Sequence, residues 1–215
     1  MIRVLATLSS IGNGMLMNPM TPGTLEELRT GVRKQKAKDR PADDVAAEKV
    51  IEEDGKPGIP AEYLGACLVE AGRQVKNGKK QVSTVSSSVL FSFLSIEEPF
   101  LPFTEHSDWV TDMRRGRLPK DGTAVCLVRP HFKEWSCQVT LEIDETIAEE
   151  STVKELLRVA GSSVGLADFR PACRGPFGRF KVADWVRLDD DEVAEEAASN
   201  GHSKKGAEEL AAAAA

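Results

Sequence analysis

The stretch SCQVTLEI, residues 136–143, decides the fold. Cys137, Val139, Leu141 and Ile143 fall on one side of an extended chain, and Ser136, Gln138, Thr140 and Glu142 on the other. A period of two with apolar residues on one side only marks a strand whose sheet buries one face and wets the other. The pattern recurs near both ends of the chain. In residues 2–9, Ile2, Val4, Ala6 and Leu8 alternate with Arg3, Leu5, Thr7 and Ser9. In residues 177–187, Phe180, Val182 and Val186 are expected on the covered side, with Arg179, Lys181, Trp185 and Arg187 on the open one.

Two helices lie between these strands. Pro60 suits a first helical position, and Ala61, Leu64, Cys67, Leu68, Ala71 and Val75 follow at helical spacing. Thr152 and Glu155 form a capping box ahead of Val153, Leu156, Leu157 and Ala160. Residues 123–129 read as a further strand, joined to 136–143 as a hairpin across 130–135. Ile96 to Phe103 carries Pro99 and Pro102 and is expected at an edge or in a loop. The order is strand, helix, strand, strand, helix, strand. It predicts an α+β protein with a ferredoxin-like or RRM-like βαββαβ antiparallel sheet. Residues 1–188 would form one domain with helical insertions at 12–58 and 78–118. Helices covering one sheet face leave the other open. That open face is expected to hold Arg3, Thr7, Gln138, Thr140, Arg179, Lys181, Trp185 and Arg187.

Charge sharpens this picture. The 215 residues carry a net charge of −6, but residues 189–215 hold eight acids and two bases. Residues 1–188 are balanced, with 26 of each. The tail is acidic, then rich in alanine, and is expected to be disordered because it has too little apolar surface to offset its ordering entropy. No run of 18 apolar residues predicts a membrane span, and Met1 to Ser10 reads as a strand instead of a signal. A cytoplasmic location is the expectation. Cys67, Cys126, Cys137 and Cys173 form no C-x-x-C pair, so reduced thiols are expected and no metal or cofactor.

Catalysis has little sequence support. The histidines are His106, His131 and His202, and no H-E-x-x-H, G-x-S-x-G or P-loop pattern occurs. An enzyme would require Glu97, His106, Asp108 and His131 to meet in one cleft. Basic residues gather instead at 29–40, 73–80, 114–120 and 170–187. Binding of single-stranded nucleic acid needs cations that follow phosphates and flat side chains that stack bases. Trp135, Phe169, Phe177 and Trp185 lie beside such cations. The loop 161–180 adds glycines whose amides can approach an anion. The expected contact set is Arg170, Arg174, Gly175, Gly178, Arg179, Lys181, Trp185 and Arg187, with Arg114, Arg115 and Arg117. Partners would be single-stranded DNA or RNA, and a side-by-side homo-oligomer is compatible. The alternative is a protein–protein assembly module that binds no nucleic acid.

GLADFRP at 165–171 and RGPFGRF at 174–180 resemble a segment of uncharacterised phage-encoded proteins, whose early part is similar to GMLMN at 14–18. The position of the glycine-rich loop is also similar to the CRISPR RAMP superfamily. That resemblance implies a ferredoxin-like domain that binds RNA. The sequence departs from it in lacking a G-x-G-x-x-x-G-F-G run, and from a standard RRM in lacking the aromatic RNP1 signature.

Overall fold

A computed structural model describes residues 1–32, 40–105, 108–117 and 121–188. Part of the first basic cluster, His106, Lys120, His202 and the acidic tail lie outside the described residues. The strands are β1 (Ile2–Ser10), β2 (Met15–Leu16), β3 (Glu52–Glu53), β4 (Lys56–Pro60), β5 (Lys76–Asn77), β6 (Lys80–Gln81), β7 (Leu94–Ile96), β8 (Phe100–Glu105), β9 (Trp109–Arg117), β10 (Ala124–Phe132), β11 (Ser136–Ile143) and β12 (Phe180–Leu188). The helices are α1 (Pro22–Thr30), α2 (Ala42–Ala47), α3 (Ala61–Ala71) and α4 (Glu150–Val159). The protein is α+β, with sheet predominating.

The main sheet runs β12-β1-β11-β8-β4-β3 and is antiparallel, with β7 also beside β11. Its covered face carries Val4, Ala6 and Leu8 from β1 and Cys137, Val139, Leu141 and Ile143 from β11, all buried. Leu64 and Leu68 of α3 and Val153, Leu156 and Leu157 of α4 close over them in one core. Each fully buried leucine contributes about 1.5–3 kcal/mol of transfer free energy, so this layer outweighs the weak pairing of any one strand.

Two expectations fail here. Residues 124–129 of the expected strand 123–129 lie in β10, but β10 does not pair with β11. It pairs with β9 and β2 in a separate three-stranded sheet. Trp135 makes the chain change sheets. Its indole is buried against Phe103, with centroids 5.7 Å apart, and its backbone is bonded to Ser10 in both directions. β9 lies just ahead of β10 in sequence and takes the whole strand as a hairpin, from Trp109 opposite Phe132 to Arg117 opposite Ala124.

The second seat beside β11 is filled by β7 and β8, the proline-bearing segment expected at an edge or in a loop. β11 meets β7 at residues 141–143 and β8 at 136–137. The ladder breaks between them, near Pro99, which has no N–H to give. Glu98 fills the gap by side chain: its carboxylate accepts the Thr140 N–H at 2.9 and 3.0 Å.

Candidate nucleic-acid interface

Directly opposed residues share a face, so the strand register fixes the open side. Its rows are Arg3 with Glu142, Leu5 with Thr140, Thr7 with Gln138, and Ser9 with Ser136. Along β12, Ser9 meets Lys181 and Leu8 meets Val182, but Thr7 meets Asp184. The register shifts at Ala183, a one-residue bulge that reverses the alternation beyond it. Trp185 then falls beside Ala6, and Arg187 beside Val4, on the covered side.

Trp185 and Arg187 therefore do not join the open face. The Trp185 indole donates to Glu150 at 2.8 Å, and Lys154 sits 5.0 Å from its ring centroid. The Arg187 Nε donates to Glu150 at 2.7 Å, with Glu145 a further partner. Glu150 is held below the ordinary carboxylate range, first by its bond to Lys154 and also by Arg187 and Trp185. Arg3 stays on the open side, locked to Glu97 by two bonds of 2.5 Å.

The glycine-rich loop also differs from its expected role. The Gly178 N–H donates to Gly14 at 2.7 Å and the Gly175 N–H to Arg170 at 2.9 Å, so neither amide is available for an anion. A Cβ on Gly175 would lie 1.7 Å from the Phe169 carbonyl oxygen. These glycines permit close backbone approach. Arg170 bends back to the Ala167 carbonyl at 2.8 Å and lines a separate 630 Å³ cavity with Tyr63, Cys67 and Glu70. Arg174 and Arg179 are exposed.

What the structure brings together is a cleft of 1120 Å³. Thr7, Ser9, Gln138 and Lys181 of the open face line it, together with Arg114, His131, Lys133 and Glu134. Arg114 is held by Asp112 at 2.9 Å and lies 4.7 Å from the Phe177 ring centroid. His131 meets the same ring edge-on at 5.4 Å, and its Nε2 bonds the Asn13 carbonyl oxygen at 2.8 Å. Phe177 and Trp135 are buried walls instead of stacking platforms; Phe169 is the exposed ring among the four aromatics expected here. Arg115 and Arg117 are exposed on β9. Lys133, Thr7, Ser9, Gln138 and His131 were not in the expected contact set. Thr7 and Gln138 were legible on the open strand face, but Lys133 arrives through the sheet change at Trp135, which no local pattern signals.

One buried cluster braces the cleft. Arg129, 3% exposed, joins Asp168 of the glycine-rich loop at 2.8 Å and Asp112 of β9 at 3.5 Å. The β9–β10 arm and the loop are thereby fixed to each other. Among the described residues, no three His, Cys, Asp or Glu side chains converge as metal ligands.

The sequence matches no known family and no curated protein. Among solved structures, it is similar to a chain in the cryo-EM structure of the Type III-B Cmr-beta bound to cognate target RNA, with 10% identity and a TM-score of 0.48. That similarity covers 87% of this chain and 61% of the other.

Proposed function

We propose that this protein binds single-stranded DNA or RNA, without catalysing a reaction on it, in the cleft over the open sheet face. The observation that carries this reading is the convergence of Lys133, Lys181 and the Asp112-paired Arg114 on one groove with the uncharged polar side chains of Thr7, Ser9 and Gln138, against a single acid, Glu134, in the same lining. Cations follow a phosphate chain, while hydroxyls and amides meet sugars and base edges. At 1120 Å³ the groove exceeds the usual small-molecule pocket of about 300–1000 Å³, which suits a length of chain better than a metabolite.

The fold reading belongs to the same proposal. Residues 1–188 form one ferredoxin-like unit in which β7 and β8 occupy the seat of the second strand. The antiparallel neighbours β12, β1, β11 and β8, with α3 and α4 on one face, support it. The segments bearing α1, α2 and the β9–β10 arm are insertions, and they bring Gly12, Asn13, Arg114 and His131 to the groove.

Fluorescence anisotropy with labelled single-stranded oligonucleotides tests the site. Lys133→Glu combined with Lys181→Glu is expected to weaken binding by about tenfold or more and to flatten the salt dependence by roughly one to two phosphate contacts. Unchanged affinity in that variant, or no binding by the native chain at low salt, rejects the proposal. A second reading, a protein-assembly module, is favoured by α1, which has no buried residue and exposes Leu25 and Leu28.

A further inference from the structure

We infer that two copies of this chain pair through the outer edges of β9, as antiparallel strands related by a two-fold axis at Met113. β9 is the terminal strand of the three-stranded sheet, with β10 on its inner side. Among the described residues, the backbone of Trp109–Arg117 makes no hydrogen bond outside that ladder. An open edge of nine residues is a template for another strand.

Its own sequence selects the occupant. With Met113 on the axis, each Asp112 faces Arg114 of the other copy, which extends the Asp112–Arg114 pair present within one chain into a four-charge row, and each Trp109 faces Arg117. Thr111 then meets Arg115, and Gly116 meets Val110. Opposite charges directly across a ladder are favourable, and an arginine over an indole adds to them. Val110 and Met113, the exposed apolar residues of this strand (47% and 62%), would lose water on pairing.

β12 is a useful contrast. It is the other long edge, paired with β1 on one side. An equivalent two-fold at Asp184 would oppose Asp184 to itself, which is repulsive, and Lys181 to an Arg187 already paired with Glu150. In these centred registers β12 gives its own copy no attractive charged row, whereas β9 does. The resulting sheet runs β2-β10-β9 and then β9-β10-β2 of the second copy. It places Arg114, Arg115 and Arg117 of both chains along one ribbon. Two strands of nine residues bury a small area, so the association falls in the micromolar range, about 10–100 µM.

Full-length protein lacking the exposed thiols, Cys126→Ala with Cys173→Ala, provides the background for a register test. In it, Met113→Cys is expected to form an intermolecular disulfide under mild oxidation. Thr111→Cys and Arg115→Cys should each stay unlinked alone but link to one another when mixed. Sedimentation equilibrium of the native chain should show a monomer–dimer equilibrium that Met113→Lys weakens by about fivefold or more, because two ammonium groups then meet on the axis. A native chain that stays monomeric at high micromolar concentration overturns the inference. So does a dimer unaffected by Met113→Lys, or one whose disulfides form in another register. None of these readouts uses nucleic acid, so they stand apart from the fate of the binding proposal.

Discussion

Gly178 shows what one residue decides in this molecule. Its φ is +71°, a left-handed conformation that costs an L side chain energy, and a Cβ there would sit 1.9 Å from the Leu166 carbonyl oxygen. Its own carbonyl accepts from Leu166 and its N–H reaches Gly14, so it ties the loop to the segment after β1. Gly178→Ala is expected to lower the free energy of unfolding by about 2 kcal/mol or more, measured by urea denaturation. The glycine richness of the loop was plain in the sequence. Its purpose was not, because a glycine that admits an anion and a glycine that admits another peptide are identical in one dimension. The amides of Gly175 and Gly178, expected at phosphates, hold the loop together, and Arg170 gives one N–H to the Ala167 carbonyl.

At the scale of elements, alternation served well wherever it was uninterrupted. β1 and β11 lie where their period of two puts them, with matching faces along eight opposed pairs. β12 begins the same way and then departs from it. One extra residue at Ala183 turns Trp185 and Arg187 to the helix side, where Glu150 receives both. A bulge leaves no mark in a hydrophobicity pattern as short as this, so the open face was overdrawn by a tryptophan and an arginine. The prediction for Glu150 follows from its lowered pKa. A carboxylate held below its unfolded value stabilises the fold at pH above the unfolded pKa, and that contribution is lost as pH falls through the folded pKa. Thermal unfolding from about pH 7 to about pH 3 should show a larger loss for the native protein than for Glu150→Gln, which starts less stable near neutrality. Parallel curves would remove the carboxylate from this role.

Across the whole molecule, the sequence disclosed the α+β class and the helix-covered layer, but not how far-apart segments assemble. The neighbour of β11 expected at 123–129 is instead the pair β7 and β8, where proline argues against a strand and Glu98 compensates for it. The candidate cleft draws on β1, β9, β10, β11, β12 and the loop before β12, so its membership depends on topology. The cysteines offer a check on the global arrangement. Burial pushes the Cys67 and Cys137 thiols up to about 12, while Cys126 and Cys173 are exposed. Native protein at neutral pH should take up iodoacetamide at Cys126 and Cys173 within minutes, and at Cys67 and Cys137 on the timescale of global unfolding, as read by mass spectrometry. Prompt labelling of Cys137 would contradict the layer that covers β11.

β1 pairs on one side with β11 and on the other with β12. During synthesis, therefore, the earliest of the described strands is the one that waits longest. Until the ribosome has delivered the last third of the described chain, Val4, Ala6 and Leu8 have no sheet to join, and their backbone groups remain a sticky ribbon in a crowded compartment. Long-range pairings of this kind slow folding and prolong exposure to misassembly. The architecture that gives the groove its continuous wall thus leaves the nascent chain open to misassembly until its later strands arrive.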